Sequence, residues 1–234
     1  MEHKRLTLFA GHYGSGKTNI AVNYAIALAK EGKQVCIADL DIVNPYFRTA
    51  DSARELESAG VKLISPQFAN TNVDLPALPA EAYRLVQDAN VYGIMDIGGD
   101  DRGAYALGRY VPAIREENNY RMVFVANCYR PLTRTPQEAL EVMWEIEAAC
   151  GLAFTDIVNN SNLGPETDAQ TVLASLDYVN QLSQLSGLPI FAHTAQSQVA
   201  KAMEGQLENV FPLQLQEKYF DLPSQKPVAR PLWG

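Results

Sequence analysis

The stretch Leu6-Thr7-Leu8-Phe9-Ala10-Gly11-His12-Tyr13-Gly14-Ser15-Gly16-Lys17-Thr18 decides the fold. Leu6 to Ala10 is an apolar run suited to a buried strand. Residues 11–18 fit the phosphate-binding pattern G-x-x-x-x-G-K-[ST] at every fixed position. Asn19 to Lys30 then carries Ile20, Tyr24 and Leu28 at helical spacing. Strand, glycine loop and helix therefore follow in the order that phosphate binding requires. Glycine has no Cβ to block positive φ, so the loop can wrap an anion. The amides from Gly11 through His12, Tyr13, Gly14, Ser15 and Gly16 to Asn19 would point donors at it, and the helix dipole would add to them. Lys17 is placed to reach the terminal phosphates, and the Thr18 hydroxyl to ligate Mg²⁺.

Outward from this loop the pattern repeats. Gln34 to Ala38, Val61 to Ser65, Tyr92 to Ile97, Arg121 to Cys128, Phe154 to Asn159 and Leu188 to His193 read as strands. Thr49 to Ser58, Pro79 to Asn90, Gln137 to Ala149, Thr171 to Leu185 and Gln196 to Gly205 read as helices. Thr135 is the expected N-cap and Pro136 the first helical residue of the third of these. Alternation with apolar strands predicts an α/β fold, a three-layer, doubly wound, mostly parallel sheet. Ligands of such sheets bind at the carboxyl ends of the strands, where Gly11, Asp39, Asp96, Asn127 and Asn159 fall. We expect a nucleotide-binding domain over residues 1–209 and a C-terminal extension over 210–234, packed on it or trailing from it. The tail with Pro223, Pro227 and Pro231 is expected to run extended.

With 234 residues, of which 47% are hydrophobic and 20% charged, the composition is that of an ordinary globular domain with a sizeable core. No apolar run approaches the roughly 20 residues of a membrane span, and the N-terminus lacks the apolar stretch of a signal peptide. The net charge of −8 weighs against a nonspecific nucleic-acid surface. The three cysteines, Cys36, Cys128 and Cys150, are far apart and odd in number, which suits a reducing cytoplasm. Cys36 reads as core, and Cys128 as packed although it follows a strand end.

Two acidic elements could complete the site. Asp39-Leu40-Asp41 follows the second strand, and Asp39 and Asp41 at i and i+2 can face one side. Beside a phosphate loop they could hold Mg²⁺ through its waters and orient an attacking water. A solvated loop is the alternative. Asp96-Ile97-Gly98-Gly99 ends the Tyr92 strand, a placement that suits support of the metal by Asp96. The Gly99 amide could serve the γ-phosphate. Asp100, Asp101 and Arg102 read as a mobile switch segment or an exposed polar loop.

Taken together, the glycine loop, Asp39-Leu40-Asp41 and Asp96-Ile97-Gly98-Gly99 resemble the CobQ/CobB/MinD/ParA group of P-loop ATPases, in particular its MinD/ParA members. Asn23-Tyr24-Ala25-Ile26-Ala27-Leu28-Ala29 is similar to that group's N-x-A-x-x-L-A helix, and Lys33 to Asp41 to its second strand and switch. The resemblance implies the P-loop NTPase fold, ATP and Mg²⁺ as ligands, and a nucleotide-dependent homodimer with an unknown protein partner. It implies that Asp41 positions the hydrolytic water, that Thr18, Asp39 and Asp96 support the metal, and that Asn159 or Asn160 meets the base. An ordinary turn is the alternative for the Asn-rich stretch.

The resemblance departs at His12, where that group carries a lysine. A protonated His12 could stand in for it; otherwise the ring packs or hydrogen-bonds within the loop. Arg48 and Arg102 are other sources of charge. There is no C-x-x-C for a metal or cluster, and Val210 to Phe220 alternates rather than forming a basic amphipathic helix. Three functions fit: an ATP-hydrolysing switch using Lys17 and Asp41, an ATP-dependent transferase or ligase with an acceptor pocket near Tyr46, Arg48, Asn127 and Arg130, or a nucleotide-binding module without turnover.

Overall fold

The computed structural model describes residues 3–40, 49–64, 82–98 and 101–215. Among them, eight strands form one sheet: β1 (Leu6–Ala10), β2 (Val35–Leu40), β3 (Lys62–Ile64), β4 (Tyr92–Ile97), β5 (Tyr120–Ala126), β6 (Asp156–Asn159), β7 (Ile190–Gln196) and β8 (Val210–Leu213). Their order is β3-β2-β4-β1-β5-β6-β7-β8, and every pair is parallel. The chain winds from β1 to one side as far as β3, returns through β4, and continues on the other side of β1 from β5. The switch point thus falls at β1, and the glycine loop leaves its carboxyl end.

Side-chain alternation divides the apolar residues between two faces. Leu6, Leu8 and Ala10 of β1, with Ala38, Met95 and Phe124, pack on α3 (Ala82–Gln87), α4 (Asp101–Gly108), α5 (Val111–Glu117), α6 (Pro136–Cys150) and α8 (Leu176–Ser186). Phe9, with Ile37, Ile94 and Val125, packs on Ile20, Tyr24 and Leu28 of α1 (Lys17–Lys30) and Leu56 of α2 (Ala53–Ser58). A smaller cluster joins Val172 of α7 (Ala169–Ala174), Ala195, Ala200 of α9 (Ser197–Ala202) and Met203. This is the three-layer, doubly wound α/β architecture expected.

Arg5 fastens the amino edge. It is 5% exposed, donates to the carbonyls of Leu85 (2.7 Å), Val91 (2.9 Å) and Asp88 (3.1 Å), and pairs with Glu117. The guanidinium fork satisfies carbonyls at the end of α3 while its charge is matched from α5. Helix α6 begins as its sequence foretells: Thr135 and Glu138 form a reciprocal capping box with Pro136 in the first turn.

Two segments differ from the expectation, and a third lies partly outside the described residues. Asp101 and Arg102, expected in a switch segment or an exposed polar loop, begin helix α4, which α5 follows at once. Ala104, Leu107, Val111 and Ile114 are buried there, an apolar stripe that Gly103, Gly108 and Pro112 interrupt in the sequence. The helix expected over 171–185 is broken into α7 and α8 at Ser175. The Ser175 hydroxyl donates to the Val172 carbonyl (2.6 Å), a local bond that competes with the helical ladder. Residues 210–213, at the start of the expected C-terminal extension, form the edge strand β8, while 216–234, including the proline-bearing tail, lie outside the described residues.

Candidate nucleotide-binding site

The loop between β1 and α1 has the backbone its glycines permit. Gly11 has φ +153°, and a Cβ there would lie 2.7 Å from the Val125 carbonyl oxygen of the neighbouring strand. Gly16 has φ +93° and is the N-cap of α1; a Cβ there would collide with the Asn160 amide. An L side chain is excluded at both positions by contact as well as by conformation. Between them the chain turns through a bond from the Ser15 amide to the His12 carbonyl (3.1 Å). Tyr13 and Gly14 face outward, while Ser15, Lys17 and Thr18 are buried. The Lys17 ammonium donates to the His12 carbonyl (3.3 Å), which holds it across the loop rather than out in solvent. His12 turns its Nδ1 to the Tyr13 carbonyl (3.0 Å), and Asn19, in the first turn of α1, is partly exposed.

Asp39 and Asp96 are brought together by strand register. They are partners across the β2–β4 ladder, and Asp96 is level with Phe9 across the β1–β4 ladder. Alternation puts both carboxylates on the face that α1 covers, the helix whose first turn carries Lys17 and Thr18. Asp96 is fully buried and accepts a bond from the Thr49 hydroxyl (3.0 Å), a partner that no sequence pattern indicates. Two buried carboxylates and a threonine hydroxyl at a helix N-terminus offer oxygens suited to a hard cation, while the lysine suits the phosphate chain that would share it. Mg²⁺ takes few protein ligands and keeps several waters. Among the described residues no group of three or more His, Cys, Asp or Glu side chains could hold a metal unaided. Asp41, Tyr46, Arg48 and Gly99 lie outside the described residues. Arg102 falls within α4.

The two asparagines are distinct. Asn159 ends β6 with no exposure; its amide meets the Ser175 hydroxyl (2.9 Å) and His193 Nδ1 (3.3 Å), and its oxygen takes the Ser161 amide (3.2 Å). His193, buried around this network, has its pKa lowered by desolvation. Asn160 donates to the Ser15 carbonyl (2.6 Å) and accepts from Thr194 (2.7 Å), so it ties β6 and β7 to the glycine loop. From sequence, the position after a late strand pointed to these residues, but only their contacts reveal a tie to the loop. Across the loop, Asn127 and Arg130 follow β5. Asn127 accepts the amides of Tyr129 (3.0 Å) and Asn162 (3.4 Å), and Arg130 lies against Gly14. Burial raises the pKa of the Cys128 thiol between them. No helix among the described residues is long and apolar enough to cross a membrane.

Residues 6–171 match the CobQ/CobB/MinD/ParA nucleotide-binding domain. Among curated proteins no match is found. Solved structures with a similar fold include the cell division protein FtsY of Thermotoga maritima (TM-score 0.58, 20% identity, 83% of this chain and 62% of that one). FtsY of Mycoplasma mycoides is another (TM-score 0.52, 16% identity, 83% and 61%). A third is the signal recognition particle 54 kDa protein of Aeropyrum pernix K1, solved in complex with GDP (TM-score 0.51, 18% identity, 80% and 40%). The chain spans 62% or less of the length of each of these three. At these identities the likeness concerns fold. With the glycine loop formed at the switch point and the family match spanning most of the chain, this protein belongs to the CobQ/CobB/MinD/ParA family of P-loop nucleotide-binding domains.

Proposed function

We propose that the protein binds Mg²⁺-ATP and hydrolyses it as a nucleotide-dependent switch. The observation that carries this reading is the pairing of Asp39 with Asp96 on the face covered by α1, beside buried Lys17 and Thr18. A domain that only held nucleotide would have little use for two buried carboxylates there, because they repel phosphate unless a cation lies between.

In this reading the loop amides from Gly11 to Asn19 hold the phosphate chain, and Lys17 moves from the His12 carbonyl to the terminal phosphates. Thr18, Asp39 and Asp96 would hold Mg²⁺, directly or through its waters. The ion, when bound, neutralises charge on the β- and γ-phosphates. Asp41 orients water for in-line attack, following the family resemblance, and Gly99, next to the Asp96 strand end, donates its amide to the γ-phosphate. A nucleotide-dependent dimer, a protein partner and a cytoplasmic setting belong to the same proposal. Asn159 is enclosed by its own hydrogen bonds and Asn160 is engaged with Ser15 and Thr194, so either asparagine would meet the base only by giving up one of these bonds.

The test is Mg²⁺-dependent phosphate release from ATP and from GTP, for the wild type, Lys17→Ala and Asp41→Asn. We expect release from ATP that chelation abolishes, no nucleotide binding by Lys17→Ala, and binding without turnover by Asp41→Asn. GTP is included because a structure of similar fold holds GDP. Tight binding with no release at any protein concentration would favour a binding module instead.

A further inference from the structure

We propose that Arg130 is a second phosphate-binding cation of this site, reaching the nucleotide from the β5 side of the glycine loop within the same subunit. The inference rests on the nucleotide reading and adds a residue to it. Arg130 Nε lies 3.7 Å, and its Cδ 3.8 Å, from the point a Cβ would occupy on Gly14. The arginine side chain thus lies within van der Waals reach of the loop at Gly14.

The segment that carries Arg130 is built rather than slack. Asn127 accepts the Tyr129 amide through its side chain and the Arg130 amide (3.2 Å) through its carbonyl. The Arg130 carbonyl in turn accepts the Thr133 amide (3.2 Å). The Thr133 hydroxyl closes back on the Asn127 carbonyl (2.8 Å). This turn fixes where the arginine stem starts.

At its other end the side chain is unfinished. Arg130 Nε is buried and finds no acceptor among the described residues. Two more buried donors near this edge are in the same state, the Ser15 hydroxyl in the loop itself and the Asn127 amide nitrogen. The Asn127 amide is not reversed, because its oxygen already takes two backbone N–H groups. A buried donor without an acceptor has lost its water and gained nothing in return. Ser15 and Arg130, on two walls of one loop, both lack acceptors, and a phosphate chain is rich in them. Arginine is always charged and presents its donors in a fixed fork that fits phosphate oxygens. The site needs such charge: the protein carries −8, and Asp39 and Asp96 stand on the far side of the loop.

The experiment is calorimetric titration of Mg²⁺-ATP and Mg²⁺-ADP into the wild type, Arg130→Met, Arg130→Lys and Lys17→Ala, with circular dichroism of each. Methionine keeps the stem that packs on Gly14 and removes the charge; lysine keeps the charge. We expect Arg130→Met to weaken both nucleotides by about tenfold to a hundredfold, and Arg130→Lys to recover much of that loss. Affinity within twofold of wild type in Arg130→Met, with Lys17→Ala defective, would overturn the inference and leave the nucleotide reading intact. A wild type that binds neither ATP nor GTP would overturn both. An independent measurement needs no variant: saturating ATP should shield Arg130 of the wild type from phenylglyoxal, read by peptide mass. Equal modification with and without ATP also overturns it.

Discussion

Replacing Asn160 separates a residue that holds the loop from one that reads the base. In the structure its amide donates to the Ser15 carbonyl at 2.6 Å, its oxygen accepts from Thr194 at 2.7 Å, and the residue is 5% exposed. Alanine leaves the Ser15 carbonyl without that donor, a loss of about 1–3 kcal/mol for a buried group. Thr194 recovers part of its own loss, because its single proton can turn to the Asn159 carbonyl 3.2 Å away. The expected net cost is about 2 kcal/mol, or about 4–8 °C in Tm for a chain of this size. Aspartate has the same shape but sets a carboxylate oxygen against the Ser15 carbonyl. It introduces a buried charge without a partner, and the cost rises to about 4 kcal/mol. Thermal unfolding without nucleotide, together with ATP and GTP titrations, reads both quantities. A loop-holding Asn160 makes Asn160→Asp the less stable variant and lowers affinity for both nucleotides alike. Unchanged stability with a loss confined to one base would refute the reasoning and assign Asn160 to base contact.

Other outcomes follow from the same geometry. Arg5→Ala should cost about 3–5 kcal/mol, since it leaves Glu117 unpaired and strips partners from three carbonyls, with nucleotide affinity retained in the folded fraction. His193 has a folded pKa below its unfolded value of about 6.5, so its network is fully stabilising above that pH. As pH falls below the unfolded value, the unfolded chain takes up the proton first. Stability should decline by up to about 1.4 kcal/mol per pH unit until the folded pKa is passed. Urea midpoints of wild type and His193→Gln between pH 5 and 7.5, compared for a slope that only the wild type shows, check this. His12→Ala should keep ATP affinity and lose turnover if the ring assists hydrolysis; unchanged turnover assigns it to loop packing.

The central part of the fold was legible because each signal was local and mutually consistent. An apolar run, a glycine loop with its lysine and an amphipathic helix together define β1, the turn and α1. Helices α4 and α5 were hidden although their stripe Ala104, Leu107, Val111, Ile114 has helical spacing, because Gly103, Gly108 and Pro112 read locally as breakers. Packing of α4 on α6 and burial of Tyr110 override that propensity. At the site, Asp39 and Asp96 stood out as acids ending apolar strands, but their pairing needs the β2–β4 register. The tie from Asn160 to Ser15 spans 145 positions, and no periodicity reports a contact of that range. The same holds for the approach of Arg130 to Gly14 and the bond from Thr49 to Asp96.

The two ends of the sheet bear on how this chain can assemble. At one end β3 is only three residues long and exposes Lys62; at the other β8 carries exposed Pro212, which has no N–H to offer a further strand. A short, charged edge and a proline-bearing edge are poor templates for strand addition. Among the described residues, then, neither edge of the sheet invites a strand from a second copy. At high concentration those edges should also resist the edge-to-edge stacking that starts fibres.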